Sequence, residues 1–125
     1  MIEVKPLESI TSTVRSLYEE FSMKQMLLTK EIAKRLPPLR STEGTDPMVL
    51  VHFFHPLSDW DWYAIEYDPE TRLFYGLVNG FDIELGYFSL DEISSISVKG
   101  LKMERDLYLQ PLRLSVLQSV LSGPF

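Results

Sequence analysis

The chain has 125 residues, 45% hydrophobic and 24% charged, enough for one domain that buries roughly two thirds of its unfolded surface. Its formal charge of −6, from 12 Lys and Arg against 18 Asp and Glu, repels a phosphate backbone, and the absence of cysteine removes disulfides, thiolate catalysis and cysteine zinc sites together. No apolar run approaches the ~18 residues of a membrane span, and MIEVKPLESI lacks the basic-then-apolar order of a secretory signal, so a cytoplasmic protein without membrane or nucleic-acid partner is expected.

Leu7, Ile10, Val14, Leu17 and Phe21 recur at spacings of three and four, which predicts an amphipathic helix over 7–22, with Pro6 in its first turn. Residues 1–25 read as a helical extension and 26–125 as the domain proper. The densest basic group, Lys24, Lys30, Lys34, Arg35 and Arg40, is interrupted by Glu31 and Glu43 and reads as a solvated helix surface. A second helix begins after Thr29, an N-cap with Glu31 in the first turn, and stops at Pro37 and Pro38, which lack an amide hydrogen. RSTEGTDP, residues 40–47, is a polar loop. MVLVHFF, residues 48–54, is apolar on both alternating faces and predicts a strand covered on both sides.

Alternation over Trp60–Tyr67, a turn at Asp68-Pro69-Glu70-Thr71, return over Leu73–Val78 and a tight turn at Asn79-Gly80 predict a meander whose third arm is Phe81–Phe88. Ser89-Leu90-Asp91-Glu92 has capping-box spacing and starts a short helix. LKMERDLYL forms another strand, and Leu114, Leu117 and Leu121 mark a last helix ended by Gly123-Pro124.

A two-residue turn at Asn79-Gly80 pairs Val78 with Phe81, Gly76 with Ile83 and Phe74 with Leu85; a five-residue loop over 68–72 sets Ala64 opposite Gly76 and Trp62 opposite Val78. One face then carries Trp62, Ala64, Glu66, Phe74, Gly76, Val78, Ile83, Leu85 and Tyr87, and is expected to be core. The other carries Asp61, Tyr63, Ile65, Tyr67, Leu73, Tyr75, Leu77, Asp82, Glu84 and Phe88. Either a helix covers most of this second face, or Tyr63, Tyr67 and Tyr75 with Asp82 and Glu84 form a partner-binding surface, since tyrosine joins contact area to a polar handle. The alternative site is a small-molecule or hydrolytic pocket where Ala64 and Gly76 leave space among Trp62, Phe74 and Glu66.

His52 and His55 fall on opposite faces of one strand and read as structural, so no metal site and no cofactor is expected. There is no G-x-S-x-G elbow and no glycine-rich phosphate loop. Glu66, Asp68, Glu84, Glu104 and Asp106 lie on strands, but a hydrolytic carboxylate pair also needs a cleft. Glu104-Arg105-Asp106 reads as a salt-bridge anchor.

The ordered strings LLTKE, LPPL, STEG, FFHP, WDWYAIEYDPE, FYGLV, ELGYFSL and ERD, across residues 26–115, resemble a small prokaryotic family that is defined only as a domain of unknown function. The resemblance implies a setting on plasmids, phages and integrated elements. Members start near this sequence's Met23 or Met26, which makes the N-terminal helix an extension or a misassigned start, and often carry threonine in place of His55, which counts against histidine chemistry. No catalytic residue is carried over. The expected fold is α+β: one domain with an antiparallel meander of four to five strands and packed helices. The expected function is a small acidic protein-interaction module, non-catalytic, an accessory or anti-defence factor. Its protein partner could have a nucleic-acid groove that accepts an acidic surface; a homodimer is the other expectation.

Overall fold

The structure, a computed structural model, describes residues 13–17 and 26–123. Of the helix expected over 7–22, residues 13–17 are helical (α1) and the remainder lies outside the described residues. Helix α2 is Lys30–Arg35; Thr29 caps it, its hydroxyl accepting from the Ile32 amide at 3.2 Å, and Leu36 closes it before the two prolines. The strands are β1 Met48–Val49, β2 Val51–Phe54, β3 Asp61–Asp68, β4 Leu73–Asn79, β5 Ile83–Ser89, β6 Ser97–Val98, β7 Leu101–Lys102, β8 Glu104–Arg105 and β9 Leu112–Arg113. Helix α3, Leu90–Ser95, starts at the Ser89 cap, whose hydroxyl accepts from the Glu92 amide, and α4 is Leu114–Ser122, ended by Gly123 at positive φ.

One antiparallel sheet ordered β5-β4-β3-β2-β8 forms the centre, with β1-β9 and β6-β7 as separate pairs. The domain is therefore α+β, with the expected meander as β3-β4-β5. The expected single strand over 48–54 breaks at Leu50, because Met48 and Val49 leave the sheet to pair with Arg113 and Leu112. Only parts of LKMERDLYL are extended, as β7 and β8.

Two departures from the expected register decide which side chains meet. Between Ala64 and Glu66 the β3-β4 ladder shifts by one residue: Trp62 and Ala64 pair with Val78 and Gly76 as expected, but Glu66 then pairs with Tyr75 and Tyr67 with Phe74. This bulge moves Tyr67 onto the face of Ala64 and sends Glu66 to the opposite one. At the second hairpin Asn79 pairs with Ile83, so three residues form the loop in place of a two-residue turn. A contact from outside the hairpin accompanies this loop: Gly80 lies under the Trp60 ring, where a β-carbon would come within 2.6 Å, its amide bonds the Asp82 carbonyl, and Phe81 is turned outward. The odd offset exchanges the faces of β5. Phe88 and Glu84 side with Phe74 and Val78, whereas Ile83, Leu85 and Tyr87 side with Asn79, Leu77 and Tyr75.

Each face has its own core. Val51, Phe53, Ala64, Tyr67, Phe74 and Phe88 pack beneath α2 and α3 through Ile32, Leu36, Leu90 and Ile93. On the other side Val49, Tyr63, Ile65 and Leu77 pack against Leu114 and Leu117 of α4. Leu114 and Leu117 of α4 thus cover the β1, β3 and β4 side chains of that face, whereas Leu85 and Tyr87 of β5 stay exposed.

Candidate functional site

The uncovered side of the second face is a cleft of about 480 Å³, walled by Tyr75 and the edge-strand residues Leu85 and Tyr87 on one side, by the 40–47 loop on the other, and closed by Leu114. The bulge at residues 64–66 creates its floor. Past Ala64, β2 has ended and the outer edge of β3 is taken over by the chain after α2: the Tyr67 amide donates to the Pro37 carbonyl at 3.0 Å. Glu66, 2% exposed, is reached by the same segment. Its carboxylate accepts from the Arg40 amide at 2.7 Å, from the Thr42 amide at 2.9 Å and, by a short bond, from the Thr42 hydroxyl. Arg40 takes φ 70° to present its amide this way, a conformation that costs a non-glycine residue about 1 kcal/mol and persists only where other contacts hold it.

The other end of the loop is fixed to α4. Asp46 accepts from the Ser115 amide at 3.0 Å and from its hydroxyl at 2.5 Å, so a residue distant in sequence caps the helix that Arg113 does not cap. These Ser115 hydrogen bonds, side chain first, hold the Asp46 carboxyl below the usual carboxylate range. Tyr75 and Tyr87 meet across β4-β5 with ring centroids 5.2 Å apart. Leu85 is 43% and Tyr87 54% exposed, large apolar side chains presented to solvent on the cleft wall.

A second polar group lies elsewhere on the same face. Nε2 of His52 is 2.7 Å from Asp61 Oδ1 and Nδ1 is 3.1 Å from Asp106 Oδ2, and the ring stacks on Tyr63 at 4.4 Å. A carboxylate only accepts, so both contacts are hydrogen bonds at once only when each ring nitrogen carries a proton. Burial, followed by the charges of Asp61 and Asp106, pushes the Tyr63 hydroxyl up to about 12. Burial raises Asp106 as well, but the bonds from His52 and the Tyr108 amide outweigh it and leave the carboxyl below its ordinary value. His55 is buried; the Leu57 amide donates to its Nδ1, so Nε2 carries the proton and donates to the Leu101 carbonyl at 2.9 Å. Among the described residues no three His, Asp or Glu side chains are placed to hold a metal ion, and no helix is long and apolar enough to cross a membrane.

The tyrosines do not form one patch. Tyr63 is buried in the α4 core, Tyr67 is buried in the opposite core against Phe74, and Tyr75 alone reaches the cleft; the bulge is what separates Tyr67 from the other two. Asp82 is exposed in the hairpin loop, and Glu84 points to the other side of β5. The pocket expected among Trp62, Ala64, Glu66, Phe74 and Gly76 does not assemble either. Ala64 and Phe74 are fully buried, Glu66 faces away from them, and a β-carbon on Gly76 would fall 1.8 Å from the Tyr63 carbonyl oxygen, so backbone fills the expected space. Glu104 and Arg105 pair with β2; Arg105 donates to the Met26 carbonyl at 2.5 Å, and Asp106 turns to His52. Leu85, Tyr87 and the 40–47 loop were absent from the expected sites, although Glu66, a lone acid amid apolar alternation, was a signal that polar donors would have to meet it.

No curated protein and no solved structure matches this chain. A family model described as "Protein of unknown function (DUF2958)" matches residues 22–120, and with most of the chain covered, the protein belongs to that family.

Proposed function

We propose that this protein is a small, non-catalytic interaction module that binds an extended segment of a partner protein in the cleft between β5 and the 40–47 loop. The observation that carries the reading is the exposure of Leu85 and Tyr87 beside half-buried Tyr75 on that wall. Such residues cost solubility when left wet, and aromatic and aliphatic side chains next to polar backbone suit the anchors of an extended peptide. Tyr75 and Tyr87 supply contact area and two hydroxyls; Arg40 and Glu43 line the opposite wall for polar selection. A hydrolytic use of the cleft is less well served, since both oxygens of Glu66, its buried carboxylate, already accept from the loop. A charge of −6 favours a basic partner. The cytoplasmic setting on mobile elements, and an accessory or anti-defence role there, belong to the same proposal and rest on the motif resemblance.

The test is capture with wild type and a Leu85→Lys, Tyr87→Ala double variant of matched fold, followed by direct titration of any purified partner. A partner bound by wild type, lost by the variant, and shifting the NMR signals of Tyr75 and Thr42 supports the reading. Equal binding by both proteins rejects the cleft.

A further inference from the structure

The sheet has two edges of unlike design. Edge strand β8 is two residues long and charged, Glu104 and Arg105, which suits an edge that must not recruit another strand. Edge strand β5 runs seven residues, pairs with β4 in unbroken register and contains neither lysine nor proline nor bulge. Among the described residues nothing pairs with its outer side. Ile83, Leu85 and Tyr87 stand exposed along one face of it, and Glu84 is its sole charge.

The strand is also complementary to itself. We infer that β5 pairs antiparallel with β5 of a second copy of this chain, centred on Leu85. That register sets Leu85 opposite Leu85 and Ile83 opposite Tyr87, three apolar cross-strand pairs on one face. On the other face Glu84 falls opposite Gly86, where the space a side chain would occupy is open. Centring on Glu84 would oppose two like charges, and centring on Gly86 would leave Ile83 facing Ser89, so the Leu85 register is the one that uses the whole strip. Antiparallel pairing about a two-fold axis normal to the sheet keeps like faces together, giving a ten-stranded sheet with both clefts on one side. The inference stands on the strand edge and not on cleft binding; Ile83, which lies outside the cleft, separates the two in the test.

The experiment is sedimentation velocity at about 100 µM, high enough to populate a small interface of micromolar affinity. Wild type is expected at twice the mass of one chain, and Ile83→Lys at the monomer mass with at least about tenfold weaker association and cleft binding unchanged. The native chain has no cysteine, so Leu85→Cys gives an unambiguous reporter: it bridges two copies on mild oxidation, whereas Glu84→Cys, diagonal to its counterpart at ~7–8 Å, does not. A wild-type monomer at this concentration overturns the inference, and β5 amides protected from hydrogen exchange in that monomer would mean the chain covers its own edge. A dimer unaffected by Ile83→Lys and not bridged through Leu85→Cys overturns it equally, by placing the interface elsewhere.

Discussion

Gly76 shows how one missing side chain lets two strands approach. Its β-carbon position is occupied by the Tyr63 carbonyl oxygen, so Gly76→Ala must push β3 off β4 at the start of the bulge. The expected cost is roughly 2 to 3 kcal/mol, read from the denaturant midpoint at constant slope, and a cost under about 1 kcal/mol would mean the two backbones separate freely. Tyr63, on the other strand of the same contact, makes an alkaline prediction. Its hydroxyl ionises near 10 in an unfolded chain and at about 12 in the fold, so between these values the unfolded state has already released a proton that the folded state still holds. Stability therefore falls as pH rises through that window, by on the order of 1 kcal/mol after solvent screening. Tyr63→Phe should flatten this part of the stability curve while keeping the His52 stack, and an unchanged alkaline slope would show that other groups set it.

At the scale of elements, the 40–47 loop acts as a clamp between β3 and α4, held by Glu66 at one end and Asp46 at the other. Replacing Glu66 by Gln swaps one acceptor oxygen for an NH₂ donor that faces protein donors, which leaves a buried bond unmade at a cost of about 1 to 3 kcal/mol. The Arg40 and Thr42 amides should then exchange with solvent at least about tenfold faster than in wild type, ahead of global unfolding. Exchange unaltered at both amides would show that backbone contacts such as Tyr67 to Pro37 hold the loop alone. Helix starts at Thr29 and Ser89 were legible because capping is a local bond between neighbours in sequence. The meander was legible from alternation and turn residues. The bulge was not, since a one-residue slip depends on what pairs with Gly76 across the sheet, and alternation through Tyr67 looks the same with or without it. Nor was the β5 register, where Asn79-Gly80 suits a two-residue turn but Trp60, twenty residues earlier, packs on Gly80. The candidate cleft depends on both slips, which is why Tyr75 alone among the expected partner-binding residues lines it.

At the scale of the whole molecule, hydrophobic exposure and net charge act in opposite directions on association. The strip on β5 favours burial against another surface, while two copies carrying −6 each repel as they approach. Added salt does not change the apolar term appreciably at moderate concentration but shortens the screening length from roughly 14 Å at about 0.05 M to roughly 4 Å at about 0.5 M. Self-association through β5 should therefore tighten severalfold across that range, because Glu84 and Asp82 sit near the proposed axis and the repulsion they contribute is solvent-exposed. Binding of a basic partner segment in the cleft should move the other way, since its attraction to the acidic surface is screened by the same ions. The opposite signs make salt a means of separating the two associations in one preparation: sedimentation of the protein alone reports the first, and titration of a captured partner into the Ile83→Lys variant, which removes the strand edge from the problem, reports the second. Self-association that weakens with salt would place the contact between surfaces of opposite charge, which β5 does not offer to a second β5.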